Sequence, residues 1–270
     1  MGFGYKKVLL VGATSGIGAG LADKLVQEGV HVVAVGRRKE NLDAFVSKHG
    51  SDKASAFPFD ITDLKAIPKF YDDVTTAHPD IDSVFLNSGI QRGMNFTKPE
   101  KIDLDTFDLE LNTNYSSFVH LTKYFLAFLQ KQSNPTSIIY TTSNLALAPI
   151  SFCPNYCASK AALHHFILVL REQMKAGGFS NLKVVEVFPP AVQTELHDAD
   201  KQPYIEHGRR IGMPLADFIS ETWDGLSSGK EQIPVGMSKI SFEGWEQERQ
   251  KAFLTANQQM DGMLQKFYAY

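Results

Sequence analysis

The stretch from Lys7 to Val35 constrains this chain more than any other. A short β-rich apolar run, Lys7 to Val11, enters Gly12-Ala-Thr-Ser-Gly16-Ile-Gly18. A helix with Ile17, Leu21 and Leu25 at spacing four follows, closed by Gly29, and His31 to Val35 makes a second apolar run. Strand, glycine loop, helix and strand within about 30 residues is the shape of a nucleotide-binding βαβ unit. Glycines at such a turn let the backbone approach a pyrophosphate, and the following helix offers it free N–H groups and a positive dipole end.

The alternation continues. Asn41 to Gly50 reads as a helix and Ala54 to Asp60 as a third strand, ending in Phe-Asp-Ile-Thr. A helix from Asp63 to Ala77, with a bend expected at Pro68, leads to the apolar strand Ser83 to Asn87. Thr106 to Gln132 is the longest helix candidate, with Phe107, Leu111, Phe118, Leu121, Phe125 and Leu129 along one face. Thr136 to Thr142 is a fifth strand, Tyr156 to Lys175 a helix stopping at Gly177-Gly178, and Leu182 to Phe188 a sixth strand. Pro214 opens a helix to Leu226, Gln232 to Gly236 reads as a last strand, and Phe242 to Phe267 as a long helix carrying Trp245, Phe253, Met260 and Leu264. This predicts an α/β fold: a Rossmann-like, doubly wound parallel sheet of about seven strands flanked by helices.

Candidate functional residues stand at strand ends, where open α/β sheets bind ligands. After the second strand the chain reads Gly36-Arg37-Arg38 where an acidic residue would accept from a ribose 2′-hydroxyl. Arginine there suits a 2′-phosphate and favours NADP(H) over NAD(H), although two arginines also suit a solvated edge. Asp60 is placed to meet an adenine edge. Asn87-Ser-Gly89 turns sharply, either to stop a strand or to touch a ligand. Asn114 interrupts an apolar stripe and needs partners, as a core brace or as the holder of a site water. Ser143 closes the fifth strand, a position that also suits a simple turn former.

Tyr156-Cys-Ala-Ser-Lys160 heads a helical run, with Asn155 expected as its N-cap. Residues i and i+4 share a helix face, so phenol and ammonium are neighbours. A free tyrosine titrates near pH ~10, and a cation beside it favours phenolate, which would suit general acid–base chemistry.

With 270 residues, 43% hydrophobic and 21% charged, one domain spanning 1–270 is expected. A net charge of −3 gives no electrostatic reason to expect nucleic acid or an anionic membrane. No stretch approaches the ~18 apolar residues of a membrane span, so a soluble, cytoplasmic protein is expected. Cys153 and Cys157 suggest neither a disulfide framework nor a metal site, and the Asn95 and Asn114 sequons read as chance.

Together these motifs resemble the short-chain dehydrogenase/reductase family over residues 5 to 195. The loop spacing G-x-x-x-G-x-G is similar to that family's, not to the G-x-G-x-x-G fingerprint. Asn114, Ser143, Tyr156 and Lys160 match its catalytic tetrad, the serine thirteen residues before the tyrosine. The resemblance implies that Tyr156 trades a proton with the substrate oxygen, Lys160 lowers its pKa and holds the nicotinamide ribose, Ser143 hydrogen-bonds the substrate, and Asn114 holds a relay water. It implies cofactor contacts from Gly12, Thr14, Ser15, Gly16, Ile17, Gly18, Arg37, Arg38, Asp60, Ile61, Asn87, Ser88, Gly89, Tyr156, Lys160, Pro189, Val192 and Thr194. Pro190 departs from the family's glycine, and Ser88 and Ser117 are smaller departures.

The expected function is an NADPH-dependent carbonyl reductase, or the reverse alcohol dehydrogenase, acting on a small carbonyl or alcohol as a homodimer or homotetramer. The alternative is a silent NADP(H)-binding sensor or scaffold. Residues 195–230 are expected as the substrate lid, with Phe152, Tyr204 and Trp223 as candidate apolar walls.

Overall fold

The computed structural model describes residues 2–202, 205–264 and 267. Tyr204 therefore lies outside the described residues. The strands are β1 Lys7–Val11, β2 His31–Gly36, β3 Ala54–Pro58, β4 Ser83–Leu86, β5 Thr136–Thr141, β6 Leu182–Phe188 and β7 Gln232–Pro234. Among the described residues they form one parallel sheet of seven strands, ordered β3-β2-β1-β4-β5-β6-β7. The order reverses between β1 and β4, which opens a crevice beyond their carboxyl ends.

Helices cover both faces: α1 Gly16–Gln27, α2 Lys39–His49, α3 Ile67–Ala77, α4 Leu104–Leu111, α5 Ser117–Gln130, α6 Pro154–Ala176, α7 Leu215–Ser227, α8 Ser238–Ser241 and α9 Gln247–Leu264. Side chains alternate along each strand, so β1 feeds two cores. Leu9 and Val11 join Phe118, Leu121, Phe125, Leu163 and Ile167 of α5 and α6 on one face. Val8 and Leu10 join Leu21, Leu25, Phe218 and Leu226 of α1 and α7 on the other. Each such burial contributes about 1.5–3 kcal/mol, which holds α1, α5 and α6 against the sheet that they serve.

Some boundaries differ from expectation. Pro68 does not bend a helix; it lies in the first turn of α3, where a missing N–H is harmless. The long helix expected from Thr106 contains a π-helical turn, Asn112–Ser116, between α4 and α5. A second π turn, Phe242–Glu246, joins α8 to α9. On that last segment Trp245 and Met260 are exposed rather than core-facing. Among the described residues no helix is long and apolar enough to cross a membrane.

Candidate functional site

The glycine loop is fixed from both sides. Gly12 N–H and Ala13 N–H both donate to Val35 O at 2.9 Å, tying it to β2. Gly12 has φ +91°, and a Cβ there would lie 2.7 Å from Ser88 N. A Cβ on Gly18 would stand 1.8 Å from Gly12 O, so α1 starts against the loop only because that atom is missing. Ser15 at the N-cap makes no side-chain cap, which leaves the first amides of α1 toward the crevice. Thr14, Ser15, Gly16 and Ile17 line a cavity of about 630 Å³ that continues past Asn87, Ser88 and Gly89 to Ser143, Tyr156, Lys160, Pro189, Val192 and Thr194.

At the end of β2 the two arginines diverge. Arg37 is 65% exposed and 3.7 Å from Asp60. Arg38 is held bidentately by Glu195 at 2.8 and 3.0 Å, with Thr14 Oγ1 at 3.3 Å. Arg38 holds the Glu195 carboxyl down to about 2 by hydrogen bonding, against the effect of burial. Lys201 Nζ, 3.5 Å from Glu195, adds to this. Asp60 accepts from Thr62 N–H and Oγ1 at 3.0 and 2.8 Å, a turn brace after β3, and Ile61 beside it is buried.

Asn87 is likewise a brace: its Oδ1 accepts from Thr141 Oγ1 at 2.8 Å and its Nδ2 donates to Gly12 O at 3.2 Å. Asn114 sits in the π turn, fully buried. Its Oδ1 accepts from Ile90 N–H at 2.9 Å, while Nδ2 donates to Ile90 O at 2.9 Å and Ser159 Oγ at 3.1 Å. These bonds brace the Ile90 loop against α6. Ser117 Oγ bonds Thr113 O across the same turn.

Ser143 caps a short 3-10 turn through Leu145 N–H, at 3.0 Å, and stands beside the Tyr156 phenol. Lys160 Nζ donates to Thr141 O at 3.0 Å and lies 5.8 Å from the Tyr156 ring centroid. Burial pulls this ammonium down to about 8, with Glu110 and Glu186 opposing. Tyr156 corrects the expectation of an acidified phenol: it is 8% exposed, and burial pushes it up, with only Ser143 pulling the other way. The cation beside it is desolvated too and hydrogen-bonded elsewhere, so desolvation wins.

Asn155 is not the N-cap of α6. Cys153 occupies that position, Pro154 takes the first turn, and the Asn155 amide reaches Phe107 O at 3.0 Å and Glu110 Oε2 at 2.8 Å. Glu110 is fully buried; its other oxygen accepts Arg92 N–H at 2.7 Å, and burial pushes its carboxyl up to about 7.

Beyond β6 the backbone pairs with itself: Met213 N–H donates to Ala191 O at 2.9 Å and Gln193 N–H to Met213 O at 3.0 Å. That pairing fixes the segment containing Pro190, which lines the cavity. Leu196, His197, Lys201, Gln202, Ile205 and Ile211 wall it from above, and Phe152 from the side. Trp223 does not reach it, lying instead against Phe3 with Lys24 over its ring.

The chain matches the short chain dehydrogenase family model over residues 6–204. It belongs to that family. This short-chain dehydrogenase is 32% identical to the uncharacterized oxidoreductase DltE of Bacillus subtilis over 84% of its own length and 86% of that protein's. It is 31% identical to a serine 3-dehydrogenase of Rhizobium radiobacter, covering 88% and 96%. In fold it is similar to a short-chain dehydrogenase/reductase from Burkholderia phymatum in complex with NAD, TM-score 0.78, 17% identical, covering 90% and 92%. It is also similar to one from Burkholderia cenocepacia in complex with NADP, TM-score 0.74, 22% identical, covering 94% and 98%. An oxidoreductase of CH–OH and C=O groups is the class these relationships support.

Three site residues of this dehydrogenase have weak sequence signals. Glu110 stands four before Asn114, a second polar residue near an apolar stripe. Glu195 has its partner 157 positions away. Arg92 follows the Asn87 turn with nothing local to mark it.

Proposed function

We propose that the protein is an NADPH-dependent carbonyl reductase, running in reverse as a secondary alcohol dehydrogenase, with Tyr156 as its general acid and base. The observation that carries this reading is the convergence of the Tyr156 phenol, the Ser143 hydroxyl and the Lys160 ammonium on one cavity with the glycine loop.

The residues present fit a dinucleotide. Gly12, Gly16 and Gly18 leave a cradle that Cβ atoms would fill, beside an uncapped helix N-terminus. Thr14, Ser15 and Ile17 would hold the phosphates with them, and Asp60 and Ile61 the adenine end. Asn87, Ser88, Gly89, Pro189, Val192 and Thr194 would flank the nicotinamide end. Two guanidiniums after β2, Arg37 and Arg38, support preference for a 2′-phosphate. The bound cofactor supplies or accepts the hydride.

The protein's own residues handle the proton and the charge. Tyr156 donates its phenol proton to the substrate oxygen in reduction and takes it back in oxidation. Near neutrality the phenol is protonated, the form that donates in reduction. Ser143 donates to the same oxygen, and Lys160, a buried cation, stabilises the phenolate left behind. Asn114 holds the Ile90 backbone against α6 and so fixes the distance between the β4 loop and Lys160. Residues 195–230 serve as the lid of this single domain. Leu104 and Leu109 of α4 and Val169 of α6 are exposed, which supports pairing of copies through those helices.

The test is NADPH oxidation against a panel of aldehydes and ketones, with wild type, Tyr156→Phe and an NADH control. Turnover that collapses in the variant while cofactor still binds is the expected result. Tight NADPH binding without turnover of any carbonyl or alcohol would favour the sensor reading instead.

A further inference from the structure

We propose that the substrate carries a carboxylate and that Arg92 is the residue that reads it. This rests on the oxidoreductase reading above and names the substrate class for the same cavity.

The charged side chains lining the cavity can be assigned in turn. Arg37 faces Asp60, and Arg38 and Lys201 face Glu195. Lys160 is committed to Thr141 O beneath Tyr156. Arg92 also lines the cavity, and among the described residues its guanidinium makes no ion pair. Nη1 donates to Gln91 O at 2.8 Å; no other hydrogen bond from the guanidinium is seen among the described residues. A planar fork with donors to spare suits one partner above others, a carboxylate held bidentately.

The backbone that carries that fork is anchored to the start of the helix that carries the phenol. Arg92 N–H sits on Glu110 Oε1 at 2.7 Å, and Glu110 Oε2 takes the amide of Asn155, the neighbour of Tyr156. The next two residues are tied to the same helix start. Gly93 packs so closely on Phe152 that a Cβ would lie 2.6 Å from its ring, and Met94 N–H donates to Phe152 O at 3.1 Å. Glu110 could have competed for the charge, but both its oxygens are committed and burial favours its protonated form.

A second observation in the same cavity also points to a polar ligand. Asn144 Oδ1, next to Ser143, and Gln202 Oε1, in the lid, are buried acceptors with no donor. Buried acceptors of this kind are completed by a bound hydroxyl or amine. Cation and acceptors together describe a small oxo or hydroxy acid bearing a further donor group, rather than a purely apolar ketone.

The experiment compares 2- and 3-oxo acids with their methyl esters and with a phosphorylated ketone, using NADPH and wild type, Arg92→Leu and Arg92→Lys. The readout is the acid-to-ester ratio of kcat/KM. In wild type the acids lead; Arg92→Leu lowers the ratio by about 10- to 150-fold, the range of one charge-assisted hydrogen-bonded contact. Arg92→Lys restores part of it, because a point charge cannot bind bidentately. Thermal stabilisation of the protein by the same acids gives a readout independent of turnover and should need Arg92. Unaltered NADPH affinity in Arg92→Leu verifies its folding. Esters reduced as well as acids, an unchanged ratio in Arg92→Leu, preference for the phosphorylated ketone, or no stabilisation by any acid would each overturn the proposal. Tyr156-dependent reduction of the esters alone would leave the oxidoreductase reading standing while this one falls.

Discussion

Arg38 and Glu195, 157 positions apart in the chain, meet in a bidentate ion pair at 2.8 and 3.0 Å between the end of β2 and the short turn that follows Thr194. The carboxylate competes for donors that a 2′-phosphate would also use. Glu195→Gln is therefore expected to tighten NADPH binding by about tenfold, a charge-assisted contact's worth, with NADH little changed. Arg38→Leu should weaken NADPH and leave NADH alone. Fluorescence titration of both cofactors measures each. The depressed carboxyl of Glu195 contributes above its unfolded value of ~4.3 and is lost only as pH falls toward about 2. Hence the NADPH-to-NADH affinity ratio in Glu195→Gln relative to wild type should not vary through changes in this pair between pH 5 and 8.

Tyr156→Phe removes the phenol oxygen without disturbing the packing of the ring. It is expected to lower kcat for carbonyl reduction by about 10²- to 10⁴-fold, the usual contribution of a positioned acid. Steady-state NADPH oxidation beside a cofactor-binding titration checks this; parallel loss of binding would mean that the site collapsed.

His164, one turn beyond Lys160 in α6, is buried between Glu186 at 2.8 Å and Glu246 at 2.9 Å. Burial pulls its pKa down, but Glu186 and then Glu246 outweigh it and lift it to about 9. A raised folded pKa means stability fully present below the unfolded value of ~6.5 and lost as pH rises through about 9. Glu246, held near 2 against burial mainly by its bonds to His164 and Arg249, acts in the opposite sense, losing its part as pH falls. Thermal melts should thus show Tm declining between pH 6.5 and 9. In His164→Gln that decline should flatten, at a cost of about 3 kcal/mol for Glu186 left without its cation, while Arg249 still pairs Glu246.

Asn114→Ala strips the partners from both Ile90 N–H and Ile90 O. Both groups are only partly buried, so denaturant melts should show a loss at the lower end of the ~1–3 kcal/mol that a stranded buried group costs. The Ile90 loop should also gain amide exchange. Asn114→Asp keeps the acceptor but sets a buried carboxylate oxygen against Ile90 O, so it should lose at least as much.

What could be read from the chain followed from local causes. Continuous apolar runs placed β1, β2 and β6, and the glycines at 12 and 18 marked a close approach that the Ser88 and Gly12 backbones now explain. Tyr156 and Lys160 share a helix face, as spacing dictates. What stayed hidden was set by distant partners. Glu110 draws Asn155 inward and leaves the cap position to Cys153, and burial raises a phenol that its lysine neighbour was expected to lower. Pro68 misled because the residues before it form hydrogen-bonded turns rather than a helix.

The wide turn at Asn112–Ser116 has a bearing on how tolerant this helix can be of length change. A π turn accommodates one more residue than an α turn, and one residue in an α-helix corresponds to a rotation of about 100°. The register of α5 is therefore offset from that of α4 by the inserted position. A deletion in the turn would regularise the hydrogen bonding and leave Phe118, Leu121, Phe125 and Leu129 facing the sheet, because the bulge alone absorbs the extra residue. What it would cost is the placement of Asn114 against Ile90, so the turn serves the β4 loop rather than the core.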